Sequence, residues 1–404
     1  MFSMPYQFPK PGSHNRIHTP RRIAPLENHN HDALSRMGNI HDIATWAQSG
    51  RTITRRKNSS RVRLAYGLWA QIQPGSPWEI WEAVQKERAR RVLDMSAEGT
   101  ALDGIIAALI HGAPIPHKTW EIELITGVKH SRHHSKCKLR FVGESTYQWF
   151  GNALGLLPAQ APSGSPGTSL EASASMHSHN LPRIHEAVVK RSSRTLPASA
   201  YTTIDGMKTL RWDYLCVELL ARHPARHCVP IVDWFIQQRV REHKRDRAAV
   251  EATFRTILLR FETILASRKD HRGKRRARRN LRLISPWSES IGESLLRLEL
   301  HRFGFPPATE QFEIGEGRRR YFADFAYPSK GLALEFDGMI KYDGSLLSPE
   351  TALHDERQRE ETIRSKLPHL ERFTWGEFKS GSLSTRLGKL RSRYFPGALM
   401  KRLI

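Results

Sequence analysis

Residues 321–342, YFADFAYPSKGLALEFDGMIKY, constrain this chain more than any other stretch. Two strand-like runs flank Tyr327-Pro328-Ser329-Lys330-Gly331, where Pro and Gly favour a tight turn. Alternation places Phe322, Asp324 and Ala326 on one face of the first strand. In the second, Leu332-Ala333-Leu334 reads as a buried run and opens onto Glu335-Phe336-Asp337-Gly338. Asp324, Glu335 and Asp337 therefore stand at the ends of apolar strands. Carboxylates held together in such a place are costly unless a cation neutralises them. A hard divalent metal would do so. A salt-bridge network with arginines such as Arg297, Arg318 or Arg320 is the alternative.

The rest of the chain favours a polyanionic partner. Its 404 residues carry a formal charge of +24, with pI near 10.4. Cations that neutralise phosphates release counterions, so such an excess suits nucleic acid. A basic chain from an arginine-rich proteome is the plainer account. Mean hydropathy is −0.53. The longest apolar runs, such as 105–110, fall far short of the ~20 residues of a membrane span. The N-terminus has no signal-peptide pattern. Three scattered cysteines, Cys137, Cys216 and Cys228, form no CxxC pair, as expected in a reducing compartment. The expectation is a cytoplasmic protein without membrane contact, its oligomeric state open.

The pattern along the chain predicts a mixed α/β protein. Residues 1–37 read as a disordered tail. Residues 38–75 have the order helix, basic helix, two-stranded wing, as in a winged helix-turn-helix. There Arg51, Arg55, Arg56, Lys57, Arg61 and Arg63 would contact phosphates, and Thr52 or Thr54 base edges. A small helical cap with a hairpin is the alternative. Residues 76–265 read as an α/β region. Helices are predicted from Pro77 and across 100–112, and strands at 120–125, 139–142, 184–190, 201–204 and 207–211, with Asp205-Gly206 as a hairpin turn. A flexible insertion is expected at 158–180. Three helices follow from Trp212.

A basic linker spans 266–284. Its run RKDHRGKRRARRNLR would be positive on every helical face, so Arg275, Arg276, Arg278 and Arg279 are either solvated or on a phosphate backbone. The last unit, 285–400, has a helix bearing Glu293, three strands, a helix, the strand HLERFT and a basic amphipathic helix.

A turn of five residues brings Asp324 and Glu335 together across a hairpin, and Glu293 on the preceding helix can reach over the strand ends. That donor set suits Mg²⁺ or Mn²⁺, which would polarise a phosphodiester and activate water. On the following helix, Arg359 could steady a phosphate, or join Glu356, Glu360 and Arg364 in a surface salt-bridge pattern. Residues 130–137, HSRHHSKC, offer zinc-type ligands but no distant second pair, and a basic loop is the simpler reading. No Walker loop, dinucleotide fingerprint or nucleophile elbow is present.

The order SESIGES, ADFAYPSKGLALEFDG, Lys341-Tyr342, DERQREETIRSKL and FTWGEF resembles the very-short-patch-repair-like branch of the PD-(D/E)xK nucleases, over 288–378. More loosely, 40–233 resembles AbiEi-type antitoxins of type IV toxin–antitoxin systems, through RVRLAYGLW and TALDGIIAALIHGAPIP. The resemblance implies a restriction-endonuclease-like three-layer core that holds Mg²⁺ through Glu293, Asp324 and Glu335. It also implies a winged helix that recognises DNA or represses a promoter, a regulatory α/β region, and a cognate toxin as partner. Arg359 and Glu360 match the family's pair on the later helix. One departure stands out: Asp337 occupies the place of the superfamily's usual lysine, although this branch commonly carries Asp there. Asp337 would be a further ligand and Lys341 the cation, or the site binds without cutting. Two functions follow, a metal-dependent endodeoxyribonuclease or a non-catalytic DNA-binding regulator, with an RNA-directed nuclease as a third.

Overall fold

The computed structural model describes residues 61–65, 68–70, 77–127, 134–142, 184–244, 246–268, 273–316, 319–338 and 349–397. The tail, the helices expected at 38–60 with Arg51, Arg55, Arg56 and Lys57, the insertion at 158–180, residues 130–133, Arg318 and Lys341 lie outside them.

The described chain is mixed α/β, with two mixed sheets and ten helices among the described residues. The larger sheet has the order β2-β1-β5-β6-β4-β3-β8-β7. Strands β1 (Arg61–Ala65) and β2 (Leu68–Ala70) form the expected hairpin, and β1 also pairs with β5 (His134–Val142). That hairpin is thus the edge of a sheet instead of a free-standing wing. β6 (Ile184–Ser193) runs antiparallel to β5 and parallel to β4 (Glu121–Thr126). β3 (Ala101–Asp103) joins β4 to β8 (Met207–Leu210), and β7 (Tyr201–Ile204) closes the order. The β7–β8 turn uses Asp205 and Gly206 at φ 47° and 73°, the two left-handed residues of a type I′ turn.

The helix predicted across 100–112 is shorter, because its first residues are β3. Asp103 ends that strand and accepts Gly104 N–H at 2.6 Å, starting α2 (Gly104–Ile110), all of whose residues are buried. Before β3 runs α1 (Pro77–Asp94), and after β8 come α3 (Trp212–Arg222), α4 (Ala225–Val240) and α5 (Arg247–Ser267). Together with the sheet they enclose one apolar core, from Trp81, Leu102 and Ile106 to Leu215, Ile231 and Phe261.

The basic run 268–282 is where the structure corrects the sequence reading. It contains a helix, α6 (Lys274–Leu281), which is docked and not a linker solvated on all sides. Ala277 and Leu281 join the large core, and Asn280 Nδ2 donates to Leu220 O at 2.8 Å. These residues have helical i, i+3, i+4 spacing, so the charges hid a narrow buried stripe. Arg276 turns inward and donates to Arg222 O at 2.6 Å, the open C-terminal carbonyls of α3 being its natural acceptors. Arg275, Arg278 and Arg279 are exposed.

The second sheet has the order β12-β11-β10-β9. β9 (Thr309–Glu316), β10 (Arg319–Tyr327) and β11 (Leu332–Asp337) are antiparallel neighbours. β12 (His369–Thr374) lies parallel to β11 after a crossover through α8 (Pro349–Lys366). Helices α7 (Ile291–Arg302) and α10 (Ser382–Tyr394) pack against Phe325, Leu332 and Leu334. Ile363 of α8 and Leu367 just after it pack against Ala326 and Ala333, the next pair along the ladder. Since neighbouring residues of a strand face opposite ways, helices cover both faces. Helix α7 also joins the two parts: Leu298 belongs to the large core and Leu296 and Leu300 to the smaller one.

Candidate functional site

Asp324 stands where the second sheet is irregular on both sides. The β10–β11 ladder ends at Phe325↔Leu334, so the same register sets Asp324 across from Glu335. There the Asp324 carboxylate accepts Phe336 N–H at 2.8 Å. On the other side, the β9 register passes from Ala323↔Phe312 to Phe325↔Glu310, and the skipped residue, Gln311, has φ 47°. A left-handed non-glycine backbone is costly and is kept only where the surroundings fix it. Gln311 Nε2 donates to Glu293 Oε2 at 3.3 Å, so this kink faces the third carboxylate.

Glu293 is placed by the start of α7. Ser290 caps that helix, accepting Glu293 N–H at 3.1 Å, while its hydroxyl donates to Glu293 Oε1 at 2.8 Å. Glu289 N–H donates to Oε2 at 2.9 Å, so Glu293 closes back over the helix start in the manner of a capping box. Gly292 is required beside it. A Cβ there would meet the Phe336 ring at 2.0 Å, and Phe336 is held from behind by Trp375 and Phe378 of α9 (Trp375–Ser380). The pair Gly292-Glu293 thus brings helix and strand β11 close enough for their acids to share a site.

Glu335 is buried and bound to arginines. Arg359 of α8 donates to its Oε1 at 2.7 Å, and Arg372 lies 3.4 Å from its Oε2. Arg372 comes from β12, in register with Glu335. Of the arginines that offered the salt-bridge alternative, the two described ones have acidic partners elsewhere. Arg297 binds Asp233 and, at 3.3 Å, Glu310, and Arg320 binds Glu313 at 3.1 Å. Salt bridging therefore occurs at this site, through different residues.

The charges do not balance. Burial drives the Asp324 carboxyl well above the usual range; Glu293 and Glu335 push it further, against the Phe336 N–H and Arg359. Burial raises Glu293 to about 7, with Glu289 and Glu310 acting the same way and its helix-start hydrogen bonds opposing. Asp324 thus sits beside acids from two other elements that raise its proton affinity, a condition a divalent cation would relieve.

The donor chemistry suits a hard cation, but the side chains are not gathered as a shell. Among the described residues, no group of three or more His, Cys, Asp or Glu is arranged to hold a metal ion. Arg359 and Arg372 occupy the Glu335 oxygens, and the helix start occupies those of Glu293. Asp337 ends β11 opposite Thr374, half-buried.

Sequence reasoning missed Arg372, Glu310 and Gln311. The alternation of HLERFT was the signal for Arg372, which the parallel register then delivers to Glu335. It also missed a second buried charge cluster, in the larger part. Asp103 is paired with Arg222 and Arg194, and Glu123 with Arg222 at 2.8 Å and His223 at 3.0 Å. Glu218 is paired with Arg194, with Arg268 at 3.0 Å and with Arg222 at 3.6 Å. Arg61 and Arg63 lie on strand β1, between β2 and β5.

No helix among the described residues is long and apolar enough to cross a membrane. No family model, curated protein or solved structure matches the chain.

Proposed function

We propose that this is a cytoplasmic DNA-binding protein whose C-terminal part, with helices on both faces of its four-stranded sheet, is a restriction-endonuclease-like domain that hydrolyses phosphodiesters with Mg²⁺ or Mn²⁺. The observation that carries the reading is Asp324, whose carboxyl is forced up by burial and by Glu293 and Glu335 reaching it from two other elements. Glu293, Asp324 and Glu335 would hold the metal, which when bound supplies a Lewis acid for the phosphate and a more acidic water. Arg359, released from Glu335, would bind the scissile phosphate through its two-pronged guanidinium. Asp337 would add negative charge at the end of β11, and Lys341 a cation. Burial of the acids keeps bulk water away and strengthens every charge interaction within the site. Exposed Arg275, Arg278 and Arg279, and the basic residues at 51–63, would hold the DNA backbone.

A second reading is favoured by the arginine pair on Glu335 together with Asp337 at the lysine position: an AbiEi-like regulator, partnered by a cognate toxin, that binds DNA without cutting it. Supercoiled plasmid separates the two. The nuclease reading predicts nicking in Mg²⁺ or Mn²⁺ that Glu335→Ala abolishes while circular dichroism stays unchanged. Plasmid that is bound but left intact in both metals establishes the regulator instead.

A further inference from the structure

A groove of about 750 Å³ lies between the end of α7 and the outer face of α10. Phe303 forms its floor, and Thr385, Lys389, Arg391, Ser392 and Arg393 line it. On α10 these residues oppose the stripe Leu383, Leu387, Leu390 and Tyr394, which packs into the core. No carboxylate lines the groove.

The same helix shows what a paired cation looks like. Arg386 is bound to Glu371 and, at 2.7 Å, to Glu377. Among the described residues, Lys389 and Arg391 have no acidic partner, and Arg393 contacts only the Tyr394 ring, at 5.1 Å. Arg391 Nε is buried without a hydrogen-bond partner. Cations in the last turn of a helix are favoured by its dipole. The dipole explains neither Lys389, a turn earlier, nor a buried guanidinium N–H with no acceptor, which carries a real desolvation cost.

We propose that this groove is a second phosphodiester-backbone site, which takes one strand of duplex DNA. Phosphate oxygens would supply the anions that Lys389, Arg391 and Arg393 lack. Thr385 and Ser392 hydroxyls would add neutral hydrogen bonds, and Phe303 would meet the apolar side of a sugar. Glu293 and Phe303 stand at opposite ends of α7, about 15 Å apart along its axis. Along the duplex axis that distance is a rise of about four or five base pairs, at roughly 3.4 Å each. The groove would therefore hold the backbone to one side of the acidic site and set where along the strand that site falls. This inference rests on the DNA-binding reading above.

The experiment is fluorescence anisotropy of the full chain with a 30-base-pair duplex across a salt series. Wild-type protein is compared with K389Q/R391Q/R393Q, and with K389Q/R393Q, which leaves the half-buried Arg391 in place and alters exposed residues only. The slope of log K against log salt should become shallower by roughly three units in the triple variant and two in the double. If the wild type binds and the double variant keeps its slope, the groove is overturned while DNA binding stands. A loss of slope on duplex RNA but not on DNA overturns it also. If the wild type binds no duplex at all, the DNA-binding reading itself fails.

Discussion

Two groups of buried acids lie in this molecule, and what separates them is the supply of cations. In the larger part, Asp103, Glu123 and Glu218 are met by Arg194, Arg222 and Arg268, with His223 beside them. Burial pushes Glu123 up, yet Arg222, His223 and Lys190 outweigh it and hold the carboxyl at about 2. In the smaller part, Arg359 and Arg372 both serve Glu335, while Glu293 rises to about 7 and Asp324 higher than its usual range. Each acid of the first group has an arginine partner within the fold, although burial still raises the Asp103 carboxyl. The second has fewer cations for its acids, and Glu293 and Asp324 hold their protons more tightly as a result.

The largest expected effect strikes the arginine-paired group. Arg222→Met removes a cation shared by Asp103, Glu123 and Glu218, and breaking a buried pair costs about 3–5 kcal/mol. The urea midpoint should fall accordingly; a loss below about 1 kcal/mol would erase the contrast.

Gly292→Ala comes next. Its Cβ would meet the Phe336 ring at 2.0 Å, so about 1–3 kcal/mol should be lost, again read from urea midpoints.

Titration tests the contrast through its sign. Glu293 ionises near 7 in the folded chain against an ordinary 4.5, so the folded state binds the extra proton between those values. Stability from this group therefore falls as pH rises from about 4.5 to about 7. Glu123 runs the other way: its contribution is present above 4.5 and is lost as pH falls toward about 2. Glu293→Gln keeps an oxygen to accept Glu289 N–H, while its amide NH₂ requires the Ser290 hydroxyl to accept instead of donate. It should gain on the order of 1–2 kcal/mol over wild type at pH 8 and nothing at pH 4. An equal effect at both pH values would show that the charge of Glu293 is not what the fold resists.

The smallest change is expected for Arg359→Met, about 1 kcal/mol, because Arg372 still serves Glu335. A loss as large as that of Arg222→Met would make Arg359 a structural cation like Arg222.

The hairpin acids were legible because alternation, an apolar run and a Pro-Ser-Lys-Gly turn fix a register within one local segment. Strand β11 and its turn fell where the pattern put them, with Gly331 left-handed at φ 58°. Glu293 was legible from its place on the helix that precedes the hairpin. The arginine-paired group was not, since Asp103 and Arg222 stand 119 positions apart and only the tertiary fold brings them together. Strand β3 was masked by the apolar run it leads into, and the buried stripe of α6 by the arginines around it.

The central proposal is that a divalent cation would satisfy Glu293 and Asp324, whose carboxyls are raised by burial beside Glu335. Calorimetric titration of the metal-free chain with Mn²⁺, beside Asp324→Asn, tests it most directly. The account predicts one saturable site that the substitution removes without a change in circular dichroism. No saturable binding, or the same binding in Asp324→Asn, would contradict it.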